Sequence, residues 1–436
     1  HPPAPRGPGG MTTTSPSGRL LLGGGSALAV AMLVANAGNY VLNLFLGRWL
    51  GPREFADVNL MVTLVLLVMA LAATLQMVAA KVTATHPAGA DTNAVLRRIE
   101  RLATLSGLGL AALLALPATA WADYFHTGSP WPFVVLAVGM PAYLVQSVGR
   151  GRLQGTFQFG PLSVSFLVEM VVRLALTIGL VAAGGGVTGA TAGLTVSLLA
   201  TWACVRLMAG STRGPDSPAL PAAMRQVRTL AGSVSVLLAA QIVLSNADIL
   251  VAKRTLDPRS AGIYAAVALV GRAVFFLTRS VSTTVFPAAA SREAAGQSSR
   301  SLLHGAVGIV LGLGLAATVG AAVVGGPVLA TILGPEYSGL SGPLAGYALA
   351  TTMFAVANVV ATHRLSTGRQ DEAWVLLAGG VVQVGALLVW HGSMSTLITV
   401  QLVSNAVITA AVLAAPRLTG RAVRPASPLV EGTVTS

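Results

Sequence analysis

Long apolar segments, separated by short polar turns, dominate the pattern of the chain. A helix needs about 20 apolar residues to cross the hydrocarbon core of a bilayer. Gly, Pro and charged residues, which are typical of turns, interrupt the apolar segments, and no stretch shows the two-residue period of a β-strand. The pattern predicts an all-α integral membrane protein with about twelve transmembrane spans, near residues 22–46, 58–80, 102–121, 131–150, 162–183, 187–208, 229–251, 262–286, 302–323, 343–363, 373–391 and 394–415.

The composition agrees with a membrane protein. Of the 436 residues, 54% are hydrophobic and only 9% are charged, whereas soluble domains carry about 25% charged residues. The formal net charge of +13 comes almost entirely from arginine, because Lys81 and Lys253 are the only lysines. No basic run with interleaved aromatic residues is present, so we exclude nucleic acid as a partner and expect the lipid bilayer to surround the protein.

The basic residues are distributed unevenly between the two sides of the predicted spans. With the N-terminus in the cytoplasm, nineteen arginines and lysines fall in the inner segments and tails, and five fall in the outer loops. Cytoplasmic loops of membrane proteins carry such an excess. We therefore expect a multi-pass protein of a bacterial cytoplasmic membrane with both termini in the cytoplasm.

A stretch rich in Gly, Pro and Ser, GSTRGPDSPALP, divides the twelve spans into six and six. We expect a disordered N-terminal tail at 1–19 and an N-lobe at 20–208. An inter-lobe linker follows at 209–228, then a C-lobe at 229–415 and a C-terminal tail at 416–436. The linker and both tails lie on the cytoplasmic side in this prediction.

Two short sequences recur at equivalent places in the two halves. RLQGTFQF (152–159) and RLSTGRQD (364–371) each follow the fourth span of their half. GRWLGPREF follows the first span, and KRTLDPRSA follows the seventh. The two stretches align at a constant offset of 206 residues. This alignment matches Arg48 with Arg254, Leu50 with Leu256, Pro52 with Pro258 and Arg53 with Arg259. Because both copies of each pair lie on the same side, the halves form a parallel pseudo-two-fold repeat. Two such lobes around a central site are typical of secondary transporters.

Glu169, Arg173, Arg272 and Arg279 lie inside predicted spans, and Asp248 lies near the outer end of the seventh. A charged side chain at the centre of a membrane helix costs about 2.5–3.5 kcal/mol. Glu169 and Arg173 are four residues apart in the fifth span, in the order that favours an ion pair. One interpretation is that they neutralise each other for insertion. The other is that both line a cavity, where Glu169 carries a coupling proton or orients Arg173.

Arg272 and Arg279 are seven residues apart and therefore on one face of the eighth span, which contains no acid. They are candidates for a cavity that binds a diphosphate or an acidic sugar, since guanidinium binds phosphate through two hydrogen bonds. The alternative is a pair with an acid of another helix. Asp248, near the outer end of the seventh span, either takes part in ion coupling or neutralises Lys253 or Arg254.

Other polar residues have two interpretations each. Asn36, Asn39 and Asn43 follow one side of the first span and bind either sugar hydroxyls or neighbouring helices. Arg150 and Arg152 at the cytoplasmic mouth either attract a pyrophosphate or only contribute to the excess of positive charge inside.

The sequence also lacks several motifs of catalysis. The histidines and Cys204 have no metal-ligand spacing, and no P-loop sequence is present. The outer loops are short, whereas a membrane glycosyltransferase or polymerase has a large one. We therefore expect a non-enzymatic protein without a cofactor or a metal.

GRWLGPREFADVNL resembles the R-x-L-G-P-x-x-F/Y-G turn after the first helix of prokaryotic polysaccharide exporters, with Ala56 in place of the last glycine. These exporters are the Wzx-type oligosaccharide flippase branch of the multidrug/oligosaccharidyl-lipid/polysaccharide (MOP) superfamily. Residues 246–290 resemble the counterpart of this turn region in the second lobe, and GRLQGTFQFGPLS (151–163) resembles the turn into the fifth span.

This resemblance implies two six-helix bundles around a central cavity that export an isoprenoid-diphosphate-linked saccharide by alternating access. Glycosyltransferases or a polymerase of the same pathway are the implied partners. Two other functions stay open at this point. One is a cation-coupled exporter of drugs or metabolites with the same fold, and the other is a transport-inactive scaffold or regulator of envelope assembly.

Overall fold

The computed structural model describes residues 16–85, 90–210, 220–273, 275, 297–366 and 371–419. Helices occupy nearly all of this part of the chain, and none of the described residues forms a strand. Eight of the described helices are long and apolar enough to cross a membrane, or nine if one bent pair counts as a single span. The predicted all-α membrane fold is confirmed.

Twelve α-helices make up the described fold. The first six are α1 (Pro16–Thr85), α2 (Ala90–Ala115), α3 (Ala118–Phe125), α4 (Trp131–Gly155), α5 (Phe159–Ala182) and α6 (Gly186–Ala209). The second six are α7 (Leu220–Thr255), α8 (Pro258–Gly271), α9 (Arg300–Leu333), α10 (Ser341–Ser366), α11 (Asp371–Val389) and α12 (Met394–Thr419), with a short 3-10 turn at Pro335–Tyr337.

The predicted spans fall on these helices, but not one to one. The first two spans both belong to α1. The third is divided between α2 and α3, which are bent by 62° relative to each other. The described part of the eighth span ends at residue 275, so the rest of the span, including Arg279, lies outside the described residues.

Gly51 interrupts α1 and separates its two spans. Its backbone has φ 70° and ψ 173°, a conformation that a residue with a Cβ rarely adopts. Pro52 then starts the second helical segment, where its missing N–H costs nothing. The stretch GRWLGPREF is therefore a turn between two spans, as predicted. We call this end of the bundle the Gly51 end; the arginine distribution predicts that it faces outward.

The repeated turn between α7 and α8 has a similar design. The Asp257 carboxylate accepts hydrogen bonds from the backbone N–H groups of Arg259 and Ser260, each at 3.1 Å, which is a helix N-cap. Hydrogen bonds from Ser260 hold the pKa of the Asp257 carboxyl below its ordinary value. Pro258 starts α8 as Pro52 starts the second segment of α1. In both copies of the repeat, the proline therefore begins a helix after the turn.

One of two G-x-x-x-G motifs in the chain, a spacing that lets helices approach closely, packs two helices together. Gly189 lies against Leu180, and Gly193 lies against Thr177, so this motif joins α6 to α5. Gly308 and Gly312 on α9 instead face open space among the described residues. The second motif therefore packs no other described helix, because α9 turns that face away from them.

An apolar core at the Gly51 end is shared by the two halves of the chain. It brings Leu46 and Phe55 of α1 together with Tyr264 of α8, Leu333 of α9 and Tyr337 of the 3-10 turn, all nearly fully buried. Separate cores lie within the first half and within the second half. The two halves are therefore closely packed together at the Gly51 end.

Candidate functional site

A buried ion cluster joins α4 and α5 in the first half. One oxygen of Glu169 lies 2.8 Å from Nη2 of Arg150, and the other lies 2.5 Å from Nη2 of Arg173. We call Arg150, Glu169 and Arg173 the first-half cluster. The predicted contact between Glu169 and Arg173 is confirmed, and the sequence did not indicate that Arg150 is the second partner of the same carboxylate.

Arg150 is a structural link between two helices. Its Nε donates to the Ser165 hydroxyl, and its Nη2 donates to the Ser165 carbonyl, each at 3.0 Å. The guanidinium also lies 4.1 Å from the ring centre of Phe166. The side chain is only 7% exposed. Arg150 is therefore buried between α4 and α5 and is not open to solvent, because α4 continues to Gly155; its place at the cytoplasmic mouth stays a prediction.

Arg152, the other predicted mouth residue, lies two positions further along α4. It is half-buried, and its Nη1 is buried without a hydrogen-bond partner among the described residues. Because its position differs from that of Arg150 by two residues, the two side chains do not share a helix face. The structure does not bring Arg152 into the first-half cluster.

Arg173 connects the cluster to two further helices. It lies near the middle of α5, donates to the Asn39 carboxamide oxygen at 3.0 Å and donates to the Ser197 hydroxyl at 3.2 Å. Asn43 donates to the Asn39 carbonyl within α1. Asn39 thus bonds a neighbouring helix, as one of its two interpretations required, while Asn36 is exposed. With two guanidiniums and one carboxylate, the first-half cluster has a formal charge of +1.

A second polar cluster lies in the second half. Asp248 of α7 accepts from Arg272 Nη2 at 2.7 Å, from the Tyr264 hydroxyl at 2.9 Å and from the Tyr347 hydroxyl at 2.8 Å. Arg272 also donates to the Tyr347 oxygen and to the Asn246 carboxamide. We call Asp248, Tyr264, Arg272 and Tyr347 the second-half cluster; its formal charge is zero.

This arrangement corrects two expectations. Arg272, just after the C-terminus of α8, is not unpaired: it has the partner on another helix that was the alternative interpretation. Asp248 does not neutralise Lys253 or Arg254, because its side chain is fully buried and directed at Arg272. Sequence spacing could not reveal the pair, since the two residues belong to different helices and meet only when α7 packs on α8.

A third ion pair, between Asp57 and Lys253, joins the two halves and was missed by sequence reasoning. The Lys253 Nζ lies 2.6 Å from the Asp57 carboxylate, and both side chains are buried. The same carboxylate accepts from the Gly128 N–H, and Lys253 donates to the His126 carbonyl. The only available signal was the position of each residue beside one copy of the repeated turn.

No group of three or more His, Cys, Asp or Glu side chains among the described residues is arranged to hold a metal ion. The polar clusters that this part of the chain gathers inside the bundle consist of guanidiniums, an ammonium, carboxylates, hydroxyls and amides. Such groups bind and orient a polar ligand through charge and hydrogen bonds.

A family model described as polysaccharide biosynthesis protein matches residues 21–293, which is more than half of the chain. A search of curated proteins found no match.

Three solved structures are similar in fold. The lipid II flippase MurJ in an inward closed conformation has a TM-score of 0.74 and 10% identity, with 89% of this chain and 87% of that chain covered. An inward-facing multidrug resistance MATE family transporter of the MOP superfamily has a TM-score of 0.71 and 15% identity, covering 91% and 97%. An outward-facing MATE structure has a TM-score of 0.59 and 17% identity, covering 93% and 98%.

Proposed function

The chain belongs to the polysaccharide biosynthesis protein family and has the fold of MOP-superfamily transporters, and from this premise we propose that it is a flippase for an isoprenoid-diphosphate-linked saccharide. It moves the sugar headgroup across a bacterial cytoplasmic membrane without catalysing a reaction. Its partners are the lipid-linked saccharide and the enzymes that make or polymerise it.

The observation that carries this proposal is the surplus positive charge of the first-half cluster. A charge held inside the membrane region is costly without a counter-ion, and a diphosphate supplies one that guanidinium binds well. Arg173 and Glu169 are 16% and 15% exposed, whereas Arg150 is almost covered. Arg173 is therefore the group that we assign to the diphosphate, with Arg150 and Glu169 holding it in place.

The second-half cluster supports a different role. Its charges balance, and Asp248 is fully buried among three donors. We assign Asp248, Tyr264, Arg272 and Tyr347 to the internal organisation of α7, α8 and α10. We therefore assign substrate binding to the charged residues of the first half and helix packing to those of the second half, although the two halves repeat in sequence.

The way in which the two halves meet supports alternating access. The shared apolar core and the Asp57–Lys253 pair close the Gly51 end, and the fold is more similar to an inward-facing MATE structure than to an outward-facing one. We propose that the N-lobe at 20–208 and the C-lobe at 229–415 rock against each other so that this contact breaks and re-forms, with both termini in the cytoplasm.

Lipid analysis of a deletion strain tests the proposal. We expect an isoprenoid-diphosphate-linked glycan to accumulate on the cytoplasmic side, because its synthesis continues without export. The readout is mass spectrometry of extracted lipids combined with a sidedness assay on intact cells. The MATE-like fold suggests a cation-coupled drug exporter as the competing function, so hypersensitivity to cationic drugs with unchanged lipid-linked glycans would replace the proposal by that alternative.

Arg173→Gln should reduce export by about 10- to 100-fold at normal protein levels, because a hydrogen bond to a charged group contributes about 1.5–3 kcal/mol. The Glu169–Arg150 pair remains, so the fold has no orphaned ion. Arg206→Gln on α6 is the matched control, since Arg206 is exposed and its contact with Glu100 is long at 3.5 Å. Export by Arg173→Gln equal to that by Arg206→Gln would remove Arg173 from the binding site.

A further inference from the structure

The arginines of the repeated turn lie on the side of the membrane that usually carries few. Arg48 belongs to the first half, but its Nη1 donates to the carbonyl oxygens of Thr331 and Ile332, at 2.9 and 3.3 Å. These carbonyls are in the last turn of α9, where helix carbonyls lack partners within the helix and the helix dipole favours a positive charge. An arginine of the first half thus caps a helix of the second half.

Arg254, the equivalent of Arg48 in the other copy of the repeat, makes the reverse contact. It belongs to the second half, and its guanidinium lies 4.8 Å from the ring centre of Tyr124 on α3. The bent pair of α2 and α3 is the third span of the first half, and α9 is the third span of the second half. The side chain of each arginine therefore reaches into the other half of the protein, where it contacts the end of the third span of that half.

We propose that Arg48 and Arg254 form a reciprocal clasp that holds the two halves together at the Gly51 end. The clasp follows the pseudo-two-fold repeat of the sequence, so the two contacts are equivalent in place and are lost together when the halves separate at this end. It sets the population of the closed Gly51 end, whatever substrate the protein carries.

The surroundings of the clasp form a graded closure. At its centre, the Asp57–Lys253 pair is buried, and the Tyr337 hydroxyl donates to the Gly47 carbonyl at 3.3 Å. At its edge, Arg48 is exposed to solvent. Contacts of an exposed arginine are weaker and more easily exchanged for water than those of a buried pair. The clasp is therefore the part of the closure that can be released first.

The other matched pair of arginines in the same turns has no such arrangement. Arg53 is exposed. Arg259, its equivalent, lies 3.7 Å from Glu336 within its own half, with both side chains more than half exposed. Arg53 and Arg259 share the turn, the charge and the repeat with Arg48 and Arg254, so they are the natural control for a role that depends on reaching across.

Distances between spin labels at the Gly51 end measure the closure directly. The labels go on Ala183→Cys after α5 and Gly392→Cys after α11, two exposed positions in different halves. Cys204→Ala removes the one native cysteine. In lipid nanodiscs, pulsed electron paramagnetic resonance then reports the ratio of separated to closed halves for each variant.

We expect Arg48→Ala to raise this ratio about two- to fivefold, which is the range for contacts of an exposed charged side chain. Arg254→Ala should raise it about two- to fivefold, which is the range for an exposed cation–π contact. The double variant should show both effects, while Arg53→Ala/Arg259→Ala should leave the ratio unchanged. No shift in the clasp double variant, or an equal shift in the control, overturns the proposal.

A double-mutant cycle checks the contact itself. Tyr124 is nearly half exposed, so Tyr124→Leu should fold normally. It should raise the ratio as much as Arg254→Ala does, and the combined variant should go no further, because both changes remove the same interaction. Additive shifts would mean that Arg254 acts without Tyr124 and would refute the reciprocal contact.

Discussion

Replacing Glu169 with Gln is expected to lower the free energy of unfolding by about 3–5 kcal/mol, the range for removing one partner of a buried ion pair. The carboxylate holds two guanidiniums at 2.8 and 2.5 Å, and the three side chains are 7–16% exposed. Without it, Arg150 and Arg173 face each other as like charges. The measurement is chemical denaturation of the purified protein in detergent, with the amount of folded protein in membranes as a second readout.

Two companion variants identify the cause of this loss. Arg150→Met/Glu169→Gln removes one charge of each sign and leaves Arg173 bonded to Asn39 and Ser197, so it should be more stable than Glu169→Gln alone. Glu336→Gln removes a carboxylate from an exposed pair and should cost no more than about 1 kcal/mol. If Glu169→Gln cost as little as Glu336→Gln, the cluster would be solvated and would hold no buried charge.

The same cluster limits how Glu169 can act in coupling. Its carboxylate is bound on both oxygens by guanidiniums, so taking up a proton would leave two positive charges without a partner. The pairing interpretation of Glu169 and Arg173 therefore has a direct structural basis, whereas orientation of Arg173 for a ligand stays a prediction. A role for Glu169 in carrying a proton stays a hypothesis, for which an altered pH profile of Glu169→Asp export is the test.

The spans and the Gly51 turn could be predicted from the sequence because they depend on local chemistry. The length of an apolar run is fixed by the thickness of the bilayer, and Gly51 with Pro52 ends one helix and starts the next. The division of the third span into α2 and α3 was less visible, since Leu116 and Pro117 lie inside an apolar run that reads as one helix.

The partners of the ionisable residues could not be predicted, because they depend on how helices distant in the sequence pack. Asp57 is part of the family turn in sequence, and only the contact between α1 and α7 gives it Lys253. The repeat predicted that Arg48 and Arg254 are equivalent. It did not predict that each arginine contacts the opposite half. A repeat shows which positions of the two halves are equivalent, but it gives no information on which residues meet at the interface between the halves.

Arg272→Ala is expected to destabilise the protein by about 3–5 kcal/mol, because it leaves a fully buried carboxylate with two tyrosine hydroxyls and no cation. Low export by this variant would follow from poor folding as readily as from a lost binding site. Thermal unfolding of the purified variant, compared with that of Arg259→Ala at an exposed pair, measures the structural part.

The double variant Asp248→Asn/Arg272→Met separates structure from transport. It removes both charges and keeps volumes similar, and such replacements of buried pairs are often neutral or stabilising. We therefore expect stability near that of the parent protein and export within about twofold of it, because we assign substrate binding to Arg173. If the double variant is stable but its export falls as far as that of Arg173→Gln, Arg272 contacts the substrate. The diphosphate would then bind between the two halves, with one arginine from each.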